Sequence, residues 1–131
     1  MKPVMQTKFG IPDGNCFPAC LASIFELPLE KIPILNEIDQ NWRPHLLKWL
    51  ATFGMSWTQV PAGSCWIPNG VYRIAGGPGP RPDSAGKPIW HAVVWLDDKM
   101  VHDPHPSGDG LSCSPDHYDL FLVKDPGRRR P

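Results

Sequence analysis

The chain has 131 residues, with 13 Lys+Arg against 13 Asp+Glu and no net formal charge when histidines are neutral. One domain fits that length, and the balanced charge excludes a binder that draws its affinity from neutralising nucleic-acid phosphates. Hydrophobic residues at 41% and charged residues at 20% exclude wholesale disorder, while 17 prolines and 12 glycines predict short elements joined by stiff loops.

Residues 1–8 carry charge but no apolar stretch after it, so they do not read as a signal peptide. The longest uninterrupted apolar run, residues 92–96, falls far below the ~20 residues that span a bilayer. No membrane contact and a cytoplasmic location are therefore expected. Four cysteines (Cys16, Cys20, Cys65, Cys113) form no CxxC pair, and without a secretory signal two disulfides are a weak reading.

Asp13-Gly14-Asn15 is a turn with two good N-cap residues, and a helix is expected from Cys16 to about Glu26. Pro18 fits its first turn, where backbone N–H groups lack intrahelical partners anyway. Phe17, Cys20, Leu21, Ile24 and Phe25 recur at helical spacing and give it a buried face. Residues 29–32 add one more turn before Pro33. A second helix is expected over 39–53, with Trp42, Leu46, Trp49, Leu50 and Phe53 as its core stripe and Gly54 as its stop. The period then changes. Short strands are expected at 55–60, 70–75, 88–96, 99–103 and 117–124. Residues 76–88 are so dense in Gly and Pro that they read as a loop, either a lid or a solvated insertion. Helices followed by an antiparallel sheet make an α+β domain spanning 1–126, with residues 127–131 as a basic flexible tail.

Cys16 is the most informative residue. It follows a Gly-Asn turn at the first turn of a helix, where the macrodipole and free N–H groups favour thiolate over thiol. Those N–H groups also suit the oxyanion of a tetrahedral intermediate. The plainer reading is a buried cysteine acting as a small hydrophobe, which suits Cys20 better. A nucleophilic thiolate needs a histidine, and His91 lies within the apolar run Ile89-Trp90-His91-Ala92-Val93-Val94-Trp95-Leu96. Asp103 follows after a turn at Asp97-Asp98 and could orient the imidazole. Register decides this. A two-residue loop pairs Trp95 with Met100 and puts His102, not Asp103, on the face of His91. A triad with Asp103 therefore requires a three-residue turn or a bulge. Trp57, Trp66, Trp90 and Trp95 could line a groove, although strand aromatics are more often core. A metal site of His102, His105, His117 and Cys113 was weighed and set aside, because the spacing offers no second close pair.

Gly14-Asn15-Cys16-Phe17-Pro18-Ala19-Cys20-Leu21-Ala22 at a helix start, His91-Ala92-Val93-Val94 on a strand, and Asp103-Pro104 with a downstream glycine resemble the papain-like cysteine peptidase superfamily. The resemblance is nearest to the compact bacteriocin-leader-processing (double-glycine) peptidases and similar small proteins of bacteria and phages. It implies a papain-like fold and a thiol hydrolase cleaving a peptide, isopeptide or amide bond through Cys16, His91 and Asp103. It also implies a glutamine upstream of the cysteine in the oxyanion hole. Gln6 is the only upstream glutamine and stands ten residues before Cys16, a longer gap than the family's, so Asn15 or the Cys16 backbone N–H is the substitute donor. Trp90, Gly76 and Gly77 are the residues expected to contact a peptide or protein substrate. No cofactor and no metal are called for. The alternative is a catalytically silent papain-like binding module, of a phage for instance, acting on a host protein.

Overall fold

The computed structural model describes residues 1–35, 41–63 and 66–127. Helix α1 spans Cys16–Phe25 and ends at Glu26, which takes a left-handed conformation and returns its N–H to Ala22 O. A single 3₁₀ turn follows at Leu29–Lys31. Helix α2 spans Trp42–Ala51. The expected start of α2 at residue 39 lies outside the described residues. At its other end, Thr52, Phe53 and Gly54 donate to carbonyls three residues back, and Gly54 leaves at φ +72°. That tightened turn, and not further helix, delivers the chain to the sheet.

The sheet contains β1 (Met55–Pro61), β2 (Tyr72–Pro82), β3 (Pro88–Leu96), β4 (Lys99–His102) and β5 (His117–Val123), all antiparallel in the order β1-β5-β2-β3-β4. Among the described residues the architecture is thus two α-helices packed on a five-stranded antiparallel sheet, an α+β arrangement. Leu21 from α1, Leu46 and Leu50 from α2, and Ile74 and Val94 from the sheet meet in one core cluster and are fully buried. Each contributes about 1.5–3 kcal/mol from leaving water. Phe17, Trp42, Trp49, Trp57 and Phe121 pack around them. Among the described residues no helix is long and apolar enough to cross a membrane.

One expectation is corrected. Residues 76–82 are strand, not loop: Gly76, Gly77 and Pro78 pair with Ala92, His91 and Trp90. The proline at 78 is tolerated because its backbone faces away from β3. Its carbonyl accepts from Ser112 N–H at 2.9 Å on the outer side, so the missing N–H is not subtracted from the β2–β3 ladder. Glycine serves close approach here. A Cβ on Gly79 would lie 2.7 Å from Ile89 O.

A second feature has no sequence signature. The N-terminal segment is laid across α1 and toward β4 by Lys2 N–H to Ser23 O (3.0 Å), Val4 N–H to Ser23 Oγ (2.9 Å) and Gln6 N–H to Pro104 O (3.0 Å). His102 Nε2 donates to Val4 O at 2.9 Å. This cover accounts for the burial of Ser23 on a face of α1 away from the expected apolar stripe.

Candidate active site

Cys16 is the first residue of α1, so its backbone N–H has no intrahelical acceptor. His91 comes from the middle of β3 and Asp103 from the residue after β4; both are buried. His91 Nε2–H donates to Asp103 Oδ1 at 2.7 Å. The same carboxylate accepts from His105 N–H at 2.9 Å and, through Oδ2, from Gly110 N–H at 2.8 Å. Asp103 is therefore fixed from three directions. With Nε2 committed to Asp103, Nδ1 is the ring nitrogen left for Cys16, which borders the same cavity and helps raise the imidazolium.

The electrostatics follow from those contacts. Burial alone pushes the His91 imidazolium down from 6.5. The bond to Asp103 and the neighbouring Cys16 overcome this and hold it at about 9. Burial likewise pushes Asp103 up, but His91 and the two backbone donors win and hold the carboxyl at about 2. Cys20, one turn along α1, is raised well above the ordinary thiol value by complete burial, helped by the nearby Cys16, Asp103 and Asp119. Two cysteines four residues apart thus have opposite surroundings, and Cys20 is the inert one.

These residues open onto a cavity of about 440 Å³ lined by Gln6, Cys16, Gly76, Trp90 and His91 among others. Gln6 is buried at this wall. Its Nε2 donates to Lys8 O at 2.9 Å, and its Oε1 is buried without a partner. The long spacing to Cys16 is absorbed by residues 7–15, which fold back on themselves. Asn15 Oδ1 accepts from Thr7 N–H (3.0 Å) and Lys8 N–H (2.9 Å), Asn15 Nδ2 donates to Thr7 Oγ1 (3.0 Å), and Gly14 N–H donates to Gly10 O (2.9 Å). A Cβ on Gly14 would stand 2.5 Å from Gly10 O, so this closure needs glycine.

Two expected roles are corrected. Asn15 does not line the cavity, and its carboxamide is spent on clamping residues 7 and 8 instead of facing an oxyanion. Gly77 does not line it either; it pairs with His91, with Asp116 N and Leu111 Cδ1 nearest on its open side. Gly76 and Trp90 do line it. Of the other tryptophans, Trp57 donates Nε1–H to Asp119 Oδ1 at 2.8 Å, Trp95 packs near Tyr118, and Trp66 is exposed. Cys65 lies outside the described residues. Among the described residues no three His, Cys, Asp or Glu side chains gather as metal ligands. His102 turns to Val4 O, and His105 accepts at Nδ1 from Ser107 N–H (3.0 Å).

Other lining residues have a place that the sequence does not suggest: His105 and His117 are named there only as metal ligands, and Asp119 not at all. His105 lies edge-on to His91 with ring centroids 6.2 Å apart, and its imidazolium is pushed down by burial and by Arg81. Asp119 on β5 is 2% exposed yet borders the cavity. Burial raises its carboxyl against the opposing pull of Trp57, His117, Gln59 and Arg43. His117 and Asp119 stand two apart on an expected strand, so period-2 alternation put them on one face. Nothing in the sequence told which face that was.

Comparison of the chain with protein-family models, with curated proteins and with solved structures gives no match, leaving the geometry of the site as the basis for its chemistry.

Proposed function

We propose that this protein is a papain-like thiol hydrolase that cleaves a peptide, isopeptide or amide bond through a Cys16–His91–Asp103 triad. The observation that carries the reading is one imidazole bonded at Nε2 to a buried, triply held carboxylate at 2.7 Å, on a cavity of about 440 Å³ that Cys16, the first residue of α1, lines together with His91.

In this reading the Cys16 proton passes to His91, and the sulfur attacks the substrate carbonyl carbon. The oxyanion is met by the unpaired Cys16 N–H and by the second hydrogen of Gln6 Nε2, whose first is held by Lys8 O. The C–N bond then breaks as His91 returns its proton to the departing amine. Water, deprotonated by His91, attacks the resulting thioester and releases the acid with the thiol restored. Asp103 keeps the ring in the orientation that offers Nδ1 to sulfur. The half-exposed rim residues Phe9, Ile11 and Trp90 suit an extended, partly apolar guest.

Iodoacetamide labelling at pH 6, resolved by peptide mass, tests this directly. Cys16 is expected to alkylate at least about tenfold faster than the exposed Cys113. Equal rates would overturn the hydrolase and leave a silent binding module.

A further inference from the structure

Beyond the triad, one flank of the cavity holds a carboxylate whose second oxygen has no hydrogen bond. Asp119 Oδ1 accepts from Trp57 Nε1–H at 2.8 Å and from Gln59 Nε2–H at 3.2 Å. Oδ2 faces His117 Nε2 at 3.7 Å, too long for a hydrogen bond. His117 Nδ1–H donates to Asp116 Oδ2 at 3.0 Å, so in the neutral ring Nε2 is an acceptor. Two acceptors then face each other across a gap at the cavity wall, and what they lack is a donor.

The ring is held for that purpose by its surroundings. It lies against Gly76, where a Cβ would come within 2.4 Å of Nε2, and it stacks on Trp90 at 6.1 Å and 13°. Neither arginine of the wall is within ion-pair distance of that carboxylate. Arg43 acts on it at longer range with its guanidinium 4.6 Å over the Trp42 ring, and Arg81 Nη1 donates to Ser107 Oγ at 3.3 Å. Among the described residues, His117 is the one basic side chain within 4.0 Å of the Asp119 carboxylate.

We propose that Asp119 and His117 form a subsite that takes a primary ammonium or guanidinium group of the substrate, making this a hydrolase for chains bearing a basic side chain or a free amino terminus beside the scissile bond. The inference rests on the triad reading and names its substrate class. A cation between Oδ2 and Nε2 supplies both missing hydrogen bonds and offsets a buried negative charge. An acidic guest would meet that charge instead.

The test uses peptidyl acyloxymethyl ketones, in which the Cys16 sulfur bonds to the methylene carbon and a carboxylate leaves. Acetyl-capped probes carry lysine or norleucine at each of three acyl-side positions, and an uncapped norleucine series offers the α-amine. Labelling is followed by intact mass. Lysine at one position, or the free α-amine, is expected to label at least tenfold faster than capped norleucine, and which of the two does so identifies the source of the cation. In Asp119→Asn and in His117→Phe, which keeps the aromatic stack, the ratio should fall within twofold. Should either variant fail to fold, competition in the wild-type protein decides: n-butylammonium should slow the favoured probe and n-butanol should not. Norleucine labelling of Cys16 with no charge preference at any position would overturn the subsite and leave the triad standing. No labelling by any probe or by iodoacetamide would overturn the triad reading and the subsite with it.

Discussion

Asp103 reaches His91 because β4 carries one residue more than β3 can match. Leu96 pairs with Lys99 and Trp95 with Met100 around the Asp97-Asp98 turn, but Val94 then pairs with His102. Val101 is the extra residue. Paired in line, Val101 would meet Val94 and His102 would share the face of His91; with Val101 bulged out, the next position, Asp103, does. The turn has two residues, and the bulge supplies the odd count that the triad requires.

Deleting Val101 should therefore close the bulge without moving Asp103, because His102 then follows Met100 in line, still meets Val94, and leaves the next position on the face of His91. Hydrolysis and Cys16 alkylation should stay within about tenfold of the parent, far from the 10²–10⁴-fold loss expected when positioned acid–base chemistry is removed. Circular dichroism should show the sheet retained, since β4 is an edge strand. A loss of about 10²-fold or more in a folded deletion variant would argue that the residue count of β4 is not what brings Asp103 to His91.

Asp103→Asn isolates the charge from the geometry. The amide can still bond the ring but brings no charge, which leaves Cys16 alone to oppose burial. The imidazolium value should drop from about 9 toward the ordinary 6.5. Long-range ¹H–¹⁵N titration of the histidine ring nitrogens reads this without any substrate. A His91 titration left near 9 would show that Asp103 is not its cause.

The same pair sets a pH window for stability. His91 is raised in the folded state, so its contribution is whole below pH 6.5 and is lost as pH rises through 9. Asp103 is lowered, so its contribution is whole above pH 3.8 and is lost as pH falls through 2. Denaturant midpoints should therefore hold between pH 4 and 6.5 and decline on either side. The alkaline decline should shrink in Asp103→Asn, and an unchanged decline would assign it to other groups.

Gly76→Ala should displace the His117 ring, which occupies the space a Cβ needs. Overpacking of this kind costs about 1–3 kcal/mol, visible as a lowered thermal midpoint. The Trp90 fluorescence should change as its stacking partner moves, while the His91–Asp103 bond, on other strands, persists. A neutral substitution would mean the ring has a second place to go.

Much of the site is written locally in the chain. The Asp13-Gly14-Asn15 turn announces where α1 begins, so the position of Cys16 at its first residue is legible. The apolar run around His91 announces β3. What is not legible is long-range. The bulge at Val101 follows from how β4 must meet β3 and the N-terminal segment, not from the four residues themselves. Residues 76–82 read as a loop because Gly and Pro usually interrupt strands. Only the pairing shows that Pro78 gives up an N–H on the side where β3 is not. Asn15 looked like a donor for the site; its amide is instead satisfied by Thr7 and Lys8, partners that exist only once residues 7–15 have folded back.

The proline pattern of β2 has a consequence for how any guest polypeptide is read. Past Gly76 the strand leaves β5 behind, and on that margin Pro78 has no amide hydrogen and its carbonyl is already taken by Ser112. A guest laid alongside would find the rungs of a ladder missing, so docking by strand addition is discouraged there. Recognition is left to the shapes and charges projecting into the hollow, which makes this a scaffold that discriminates among sequences instead of gripping any extended backbone.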